Sequence, residues 1–173
     1  MSREQLLLDR IRDVPDHPKP GILFKDITPV LSDPAAFEAA VDALADLVPP
    51  GTEAVAGIEA RGFVLGAPLA LRLGVGFVPV RKAGKLPSDV VAEVYDLEYG
   101  SAEIEVHADA FDGARKVLLV DDVLATGGTA AAAWGLLERA GAEVLGIRFL
   151  MEISVLGGMS RLDGRDARSV LTV

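Results

Sequence analysis

The chain has 173 residues, half of them apolar, and its 26 acidic and 17 basic side chains give a net charge of −9. This length and apolar content predict one domain with a sizeable core and exclude disorder as the dominant state. The acidic balance argues against broad nucleic-acid binding, the absence of cysteine excludes disulfides and thiolate chemistry, and two histidines are too few for a multi-histidine metal site.

The N-terminal third is predicted to hold two helices separated by a proline-rich segment. Ser2 and Gln5 have the spacing of a capping box at the start of a short helix. Residues 15–32 contain too many prolines for a long helix and are expected to form an irregular excursion. Asp33-Pro34 predicts the cap and first position of a second helix. No export leader or membrane span is evident in the sequence, so we expect a cytoplasmic protein.

Beyond residue 50, predicted strands and helices alternate. The strands are expected at 54–58, 75–80, 117–120 and 144–153, and the helices at 62–73 and 129–140. Such alternation predicts an α/β fold, in which helices cover both faces of a parallel sheet. A hairpin is predicted around Tyr99-Gly100-Ser101. The hairpin and the proline-rich excursion do not fit the minimal alternation, so both are candidate covers for a site.

Residues 117–129, VLLVDDVLATGGT, are the most informative segment. A buried strand is expected to end in Asp121 and Asp122, and the turn at 126–129 then opens a helix. A glycine-rich turn at a helix N-terminus offers backbone N–H groups to an anion. Without the lysine of a nucleotide P-loop, this turn favours a terminal monophosphate held by neutral donors. The carboxylates would repel phosphate, so their targets are sugar hydroxyls or Mg²⁺ held through water, and together these groups indicate a ribose 5-phosphate.

This segment resembles the phosphoribosyl-diphosphate signature of the type I phosphoribosyltransferases, and its Ala-Thr-Gly-Gly-Thr form looks most like that of the adenine phosphoribosyltransferases. The resemblance implies a single domain over 1–173, an open parallel sheet flanked by helices, with a hood segment at 15–32 and a flexible β-hairpin loop at 81–107. It also implies transfer of a 5-phosphoribosyl group from phosphoribosyl diphosphate to adenine, which gives AMP and diphosphate. Mg²⁺ would be held mainly by the sugar diphosphate and water, without direct protein ligands, and the chain would form a homodimer.

Two segments are expected to recognise the base. Phe24 lies in a stretch similar to the hood of this family, where an aromatic ring can stack on a purine. Backbone groups of Leu23 to Lys25 could match the amino donor and ring-nitrogen acceptor of adenine and reject a 6-oxopurine. Ile153 occupies the position where the family places an aliphatic residue under the purine. A plain core role for Phe24 or Ile153 is the alternative.

Two further segments are expected to bind diphosphate. The resemblance places a diphosphate-binding loop at Ala60 and Arg61, just before a helix. Arg81, Lys82 and Lys85 then bring three cations into a chain of net negative charge, and a departing diphosphate needs such a cluster. The alternatives are a surface ion pair for Arg61 and a solvated basic loop.

The predicted hairpin tip carries the Leu-Glu-Tyr-Gly of the family's closing loop. Glu98 is the candidate for handling the adenine ring-nitrogen proton, and Tyr99 for packing at the closed site. We therefore expect Glu98, Arg61 and Lys85 to be the catalytic residues. The expected substrate-binding residues are Leu23, Phe24, Lys25, Ala60, Arg61, Arg81, Lys82, Lys85, Tyr99, Asp121, Asp122, Ala125, Thr126, Gly127, Gly128, Thr129 and Ile153.

Two other functions stay open on the sequence. The first is a type I phosphoribosyltransferase that acts on xanthine or hypoxanthine, which a basic residue near the purine 6-oxo group would favour. The second is a purine-responsive binding protein that keeps the fold without catalysis, which a basic DNA-binding extension would favour. The sequence assigns no such residue and shows no such extension.

Overall fold

The computed structural model describes residues 2–97, 100–112 and 115–173. The chain divides into two compact units, one ending at Ala43 and the other beginning at Leu44. A single domain over 1–173 therefore stays a prediction. Within the described residues, no helix is both long and apolar enough to cross a membrane.

The N-terminal unit has capped helices at both ends. Its elements are α1 (Arg3–Leu8), β1 (Arg12–Pro15), β2 (Leu23–Asp26), α2 (Thr28–Ser32) and α3 (Pro34–Ala45), the last of which continues into the second unit. Ser2 Oγ accepts the Gln5 N–H at 3.1 Å, and Asp33 Oδ1 accepts the N–H groups of Ala35 and Ala36 at 3.0 and 3.1 Å. The two helix starts predicted from the sequence are confirmed, because these side chains satisfy N–H groups that have no partner within the helix.

The proline-rich excursion is more regular than the sequence analysis expected. Strands β1 and β2 pair antiparallel, from Arg12 opposite Asp26 to Pro15 opposite Leu23. Lys25 Nζ also lies 2.7 Å from Asp13 Oδ1, across the two strands. Pro15 is tolerated because it stands at the end of an edge strand, where its missing N–H costs little. With α2 included, ten of the eighteen residues at 15–32 lie in regular elements, so the expectation of an irregular segment was wrong there.

The second unit is built on one seven-stranded sheet. Its strands are β3 (Ala54–Ile58), β4 (Gly76–Lys82), β5 (Val90–Asp96), β6 (Ser101–His107), β7 (Lys116–Leu124), β8 (Glu143–Glu152) and β9 (Ala167–Thr172), in the order β5-β6-β4-β3-β7-β8-β9. The five strands from β4 to β9 in that order (β4, β3, β7, β8 and β9) pair parallel with one another, as the alternation predicted. The predicted hairpin is β5–β6, and it extends the sheet by pairing antiparallel with β4.

Helices α4 (Arg61–Leu73) and α5 (Gly128–Arg139) cover opposite faces of this sheet. Ala54, Ala56 and Ile58 of β3 belong to the same buried cluster as Trp134 of α5. The intervening residue Val55 faces α4, where its Cγ1 lies 3.6 Å from the position that a Cβ on Gly66 would take. Successive side chains of a strand point to opposite faces, so the two helices lie on different sides, as the alternation predicted.

Strand β7 is longer than predicted and includes the acid pair. The apolar run ends at Val120 and the strand was expected to end in the acid pair, but pairing with β8 continues to Leu124 opposite Glu152. The difference arises because β8 is itself ten residues long and offers a backbone partner beyond the apolar run. The backbone of Asp121 and Asp122 is therefore fixed within the hydrogen-bonded pairing of β7 with β8. Strand β9, which the sequence analysis did not identify, completes the sheet edge beside β8.

Candidate active site

A cavity of about 480 Å³ opens at the carboxyl ends of β3, β4 and β7. This volume falls within the range of small-molecule sites, and the position is where open α/β sheets bind ligands. The lining residues are Ile58, Glu59, Ala60, Arg61, Lys82, Tyr95, Asp121, Asp122, Val123, Leu124, Ala125, Thr126, Gly127, Gly128, Thr129, Ala130 and Phe149.

The glycine turn forms one wall of the cavity and begins α5. Gly127 caps the helix with φ = 82°, a left-handed conformation that disfavours other residues, and its C=O accepts the Ala131 N–H at 2.9 Å. A Cβ at Gly127 would also lie 2.6 Å from the Gly158 carbonyl oxygen. The turn leaves the first N–H groups of a twelve-residue helix at the cavity, together with the hydroxyls of Thr126 and Thr129. Such neutral donors suit a phosphate monoester.

The acid pair forms the floor of the cavity. Asp122 is 3% exposed, and its Oδ2 lies 2.6 Å from Arg61 Nε in an ion pair whose N–H is not aligned for a hydrogen bond. Asp121 Oδ1 accepts the Asp122 N–H at 2.9 Å. Burial raises the pKa of Asp121 well above its ordinary value, and the neighbouring Asp122 carboxylate adds to the shift. Burial also raises the pKa of Asp122, although Arg61 opposes it. A group that donates a hydrogen bond or carries a positive charge would stabilise the charged form of either acid.

The loop between β3 and α4 forms the opposite wall. The Glu59–Ala60 peptide is cis, and Ala60 caps α4. A Cβ at Gly62 would lie 2.8 Å from the Val120 carbonyl oxygen and 3.1 Å from Asp121 Oδ1. Only glycine therefore lets α4 begin this close to β7, and this contact brings Arg61 to the acid pair.

Glu59 gathers the basic segment that follows β4. Its carboxylate accepts the Lys82 N–H at 3.0 Å and two Arg81 N–H groups at 3.3 Å, and Lys85 Nζ lies 3.8 Å away. The Lys82 N–H lowers the pKa of Glu59, with Arg81 adding to this against the opposing effect of burial. Lys82 lines the cavity, whereas Arg81 and Lys85 stand behind Glu59.

Comparison with known proteins identifies the family and the fold. The model of the family described as "Phosphoribosyl transferase domain" matches residues 35–154. The chain belongs to the phosphoribosyltransferase family. It is 59% identical over 174 residues to the adenine phosphoribosyltransferase of Streptomyces coelicolor, with 98% of this chain and 96% of that relative covered. The predicted family and α/β fold class are therefore confirmed.

Two solved structures have the same fold as this phosphoribosyltransferase. The adenine phosphoribosyltransferase of Thermoanaerobacter pseudethanolicus matches with a TM-score of 0.95 and 48% identity, over 99% of this chain and 100% of that one. The enzyme of Saccharomyces cerevisiae matches with a TM-score of 0.92 and 41% identity, over 98% of both chains. The yeast structure was solved with adenine and D-2,5-dideoxy-2,5-imino-altritol 1,6-bisphosphate.

The cavity of this phosphoribosyltransferase brings together ten of the residues predicted from the sequence. They are Ala60, Arg61, Lys82, Asp121, Asp122, Ala125, Thr126, Gly127, Gly128 and Thr129. Leu23, Phe24 and Lys25 lie on β2 in the N-terminal unit. Ile153 follows β8 and donates its N–H to the Leu124 carbonyl at 2.9 Å, beside the lining residues. Glu98 and Tyr99 lie outside the described residues.

Two polar residues of the cavity, Glu59 and Tyr95, were not predicted from the sequence. Glu59 stands directly before the predicted diphosphate loop, and a strand-end acid next to an arginine was the signal for its role. Tyr95 lies on β5 on the same face as Val91 and Glu93, so the period-two pattern of the hairpin could have placed it inward. The sequence could not have shown what these residues contact, because Arg81, the partner of Glu59, and Thr129, the partner of Tyr95, are distant in the chain.

Proposed function

We propose that the chain transfers the 5-phosphoribosyl group of phosphoribosyl diphosphate to adenine in purine salvage, giving AMP and diphosphate. One observation carries the proposal: a phosphate-binding turn, an acid pair and a diphosphate-type loop line one cavity. The 59% identity to an adenine phosphoribosyltransferase over nearly the full length supports adenine as the base.

The turn at the start of α5 would hold the 5-phosphate. Its backbone N–H groups and the hydroxyls of Thr126 and Thr129 donate hydrogen bonds, and the helix N-terminus favours negative charge. No lysine lies in the turn, so the phosphate is held by neutral donors. The turn fixes one end of the substrate and thereby orients C1 toward the base.

The acid pair would hold the ribose. Its hydroxyls donate hydrogen bonds, and carboxylates accept them. Asp122 is ion-paired with Arg61 and Asp121 Oδ1 accepts the Asp122 N–H, and each carboxylate still has lone pairs for a sugar hydroxyl. A sugar hydroxyl at Asp121 would favour the charged carboxylate that burial and Asp122 disfavour.

The opposite wall would hold the diphosphate. The N-terminal end of α4 with Ala60 and Arg61 faces the cavity, and Lys82 adds a positive charge. Arg81 and Lys85 stand behind Glu59 and offset its negative charge. As the bond between C1 and the diphosphate oxygen breaks, charge develops on the leaving group, and these groups stabilise it.

Magnesium fits this arrangement as an ion brought by the substrate. The described residues contain no group of three or more acidic, histidine or cysteine side chains that could hold a metal by itself. Burial, and at Asp121 also repulsion from Asp122, raises the pKa values of the two carboxylates and so disfavours their charged forms. A nearby cation would stabilise those charged forms. Asp121 would contact Mg²⁺ through water, and the sugar diphosphate would supply the direct ligands. Bound there, Mg²⁺ neutralises charge on the leaving group.

The base would be recognised by β2 and its surroundings. The Phe24 ring would stack on adenine, and backbone groups of Leu23 to Lys25 would read its edge. In the N-terminal unit, Phe24 makes an edge-on contact with His17 at 5.1 Å between ring centroids. As the new nitrogen–C1 bond forms, the ring nitrogen loses its proton, and Glu98 is the proposed acceptor. Tyr99 and Ile153 would pack around the closed site.

The test is incubation of the protein with phosphoribosyl diphosphate, Mg²⁺ and each purine base in turn. We expect AMP from adenine and no nucleotide from hypoxanthine, xanthine or guanine. IMP, XMP or GMP would indicate a 6-oxopurine enzyme, and no product with any base would indicate a binding protein. A homodimer and a cytoplasmic location are further proposals, which light scattering and cell fractionation test.

A further inference from the structure

Glu105 is a buried acid on β6. It is 4% exposed, and its neighbours Ile104 and Val106, which point to the other face of the strand, are buried too. Burying a carboxylate is costly unless hydrogen bonds replace the lost water. The partners of Glu105 therefore indicate why the chain keeps an acid there.

Three consecutive backbone N–H groups of the basic loop donate to this carboxylate. Oε2 accepts from Gly84 at 3.1 Å, and Oε1 accepts from Lys85 and Leu86, both at 2.9 Å. Burial alone would raise the pKa of Glu105, but these N–H groups and the charge of Arg81 outweigh it and lower the pKa. The carboxylate thus fills the concave backbone turn much as an external anion would.

The sheet register sets Glu105 beside the start of this loop. Glu105 lies opposite Arg81 where β6 pairs with β4, and the next residue, Lys82, lines the cavity. Because the N–H groups of residues 84–86 are satisfied within the protein, they are not donors for a ligand. The loop can offer an anion only its side chains, of which Lys82 and Lys85 are the cations.

We propose that Glu105 is a positioning residue for diphosphate binding: it anchors residues 84–86 so that Lys82 stays at the cavity and Lys85 stays behind Glu59, which lines it. The inference rests on the proposed function, which assigns these cations to the diphosphate. Without the carboxylate, the loop has three unsatisfied N–H groups and must shift to reach water. In the part of the chain that the structure describes, the hydrogen bonds of Glu105 join it to residues 84–86 and not to the 5-phosphate turn or the acid pair, so ligand binding at those two places should be unchanged.

The test compares E105Q with E103Q, because Glu103 lies on the same strand with its side chain exposed. Glutamine keeps the size of Glu105 but turns one acceptor oxygen into a donor that faces N–H groups. Calorimetry would measure binding of diphosphate with Mg²⁺, and separately of AMP, to each protein. For E105Q we expect diphosphate binding about tenfold weaker and AMP binding within about twofold of the unchanged protein. E103Q should bind both ligands within about twofold of the unchanged protein.

Equal loss of both ligands in E105Q, or no loss of diphosphate, would overturn the proposal. If E105Q does not fold, hydrogen exchange of the unchanged protein decides instead: protected amides at residues 84–86 support the anchor, and freely exchanging amides overturn it. Binding of diphosphate needs no turnover. A protein that binds diphosphate as expected but makes no AMP would contradict the proposed function and leave this inference standing.

Discussion

Thr129 Oγ1 and Tyr95 Oη share a hydrogen bond over 3.2 Å. The bond joins the first turn of α5, where the 5-phosphate is proposed to bind, to strand β5 of the hairpin. Arg139 at the far end of α5 also contacts Glu93 and the Ala92 carbonyl on that strand. The hairpin and the phosphate turn are thus held together by polar contacts at two places.

The first prediction separates the two partners of this bond. T129V keeps the shape of the side chain but removes a hydroxyl donor to the phosphate, so we expect the KM for phosphoribosyl diphosphate to rise about tenfold. Y95F removes only the partner of Thr129, so its effect should stay within about threefold. Steady-state kinetics with each substrate varied would measure both. A larger effect of Y95F than of T129V would assign phosphate contact to the tyrosine instead.

The second prediction concerns the ion pair of Arg61 with Asp122. R61Q leaves the buried Asp122 carboxylate without its cation, so the free energy of unfolding should fall by about 1–2 kcal/mol. The double variant R61Q/D122N removes both charges and should recover most of that loss. Denaturant unfolding measures the cycle. Both proteins should lack transferase activity, and an active double variant would show that Arg61 is only structural.

The third prediction is a dependence of stability on pH at Asp121. Its pKa is raised in the folded protein, so protonation stabilises the fold at low pH, and this gain is lost as pH rises through the raised value. D121N removes the carboxylate, so the variant does not bear the cost of a buried negative charge at neutral pH. We expect its Tm to exceed that of the unchanged protein by about 2–5 °C at about pH 7, with the difference vanishing by about pH 4. Calorimetric scans would check this, and a lower Tm at neutral pH would contradict it.

The fourth prediction compares two glycines of the α5 region. G127A places a side chain at φ = 82° and 2.6 Å from the Gly158 oxygen, so we expect a loss of at least about 2 kcal/mol in unfolding free energy and of AMP binding. G135A is the matched control, because a Cβ at Gly135 meets nothing within 4 Å. It should stabilise α5 by about 0.5–1 kcal/mol and leave AMP binding unchanged. Unfolding experiments would measure the stability of each variant, and calorimetric titration would measure its AMP binding. A G127A protein as stable as the unchanged one would refute the steric argument.

Much of the fold follows from periodicity and glycine placement. The apolar run at 54–58 was predicted with the same bounds as β3, and Gly74 ends α4 in the left-handed conformation. The glycine turn and the acid pair could be predicted to share one site because they lie within thirteen consecutive residues. Local sequence was sufficient wherever a feature and its cause are neighbours in the chain.

The remaining features depend on partners far away in sequence. The end of β7 is set by the length of β8, which starts about twenty residues later along the chain. Pairing of β1 with β2 organises a segment that its prolines mark as irregular. Glu105 sits in a strand whose alternation predicts an exposed acid, yet three N–H groups from residues 84–86 bury it. A single sequence carries no direct signal for such contacts.

The charges of the cavity wall have a kinetic consequence. In the part of the chain that the structure describes, three carboxylates (Glu59, Asp121, Asp122) and two cations (Arg61, Lys82) line the cavity, which leaves one net negative charge in a chain of −9. A cavity with this charge does not attract a polyanion electrostatically over a long distance. The association rate of the sugar diphosphate should therefore not fall as ionic strength rises. The sugar diphosphate should enter most readily when a divalent ion has already reduced its negative charge.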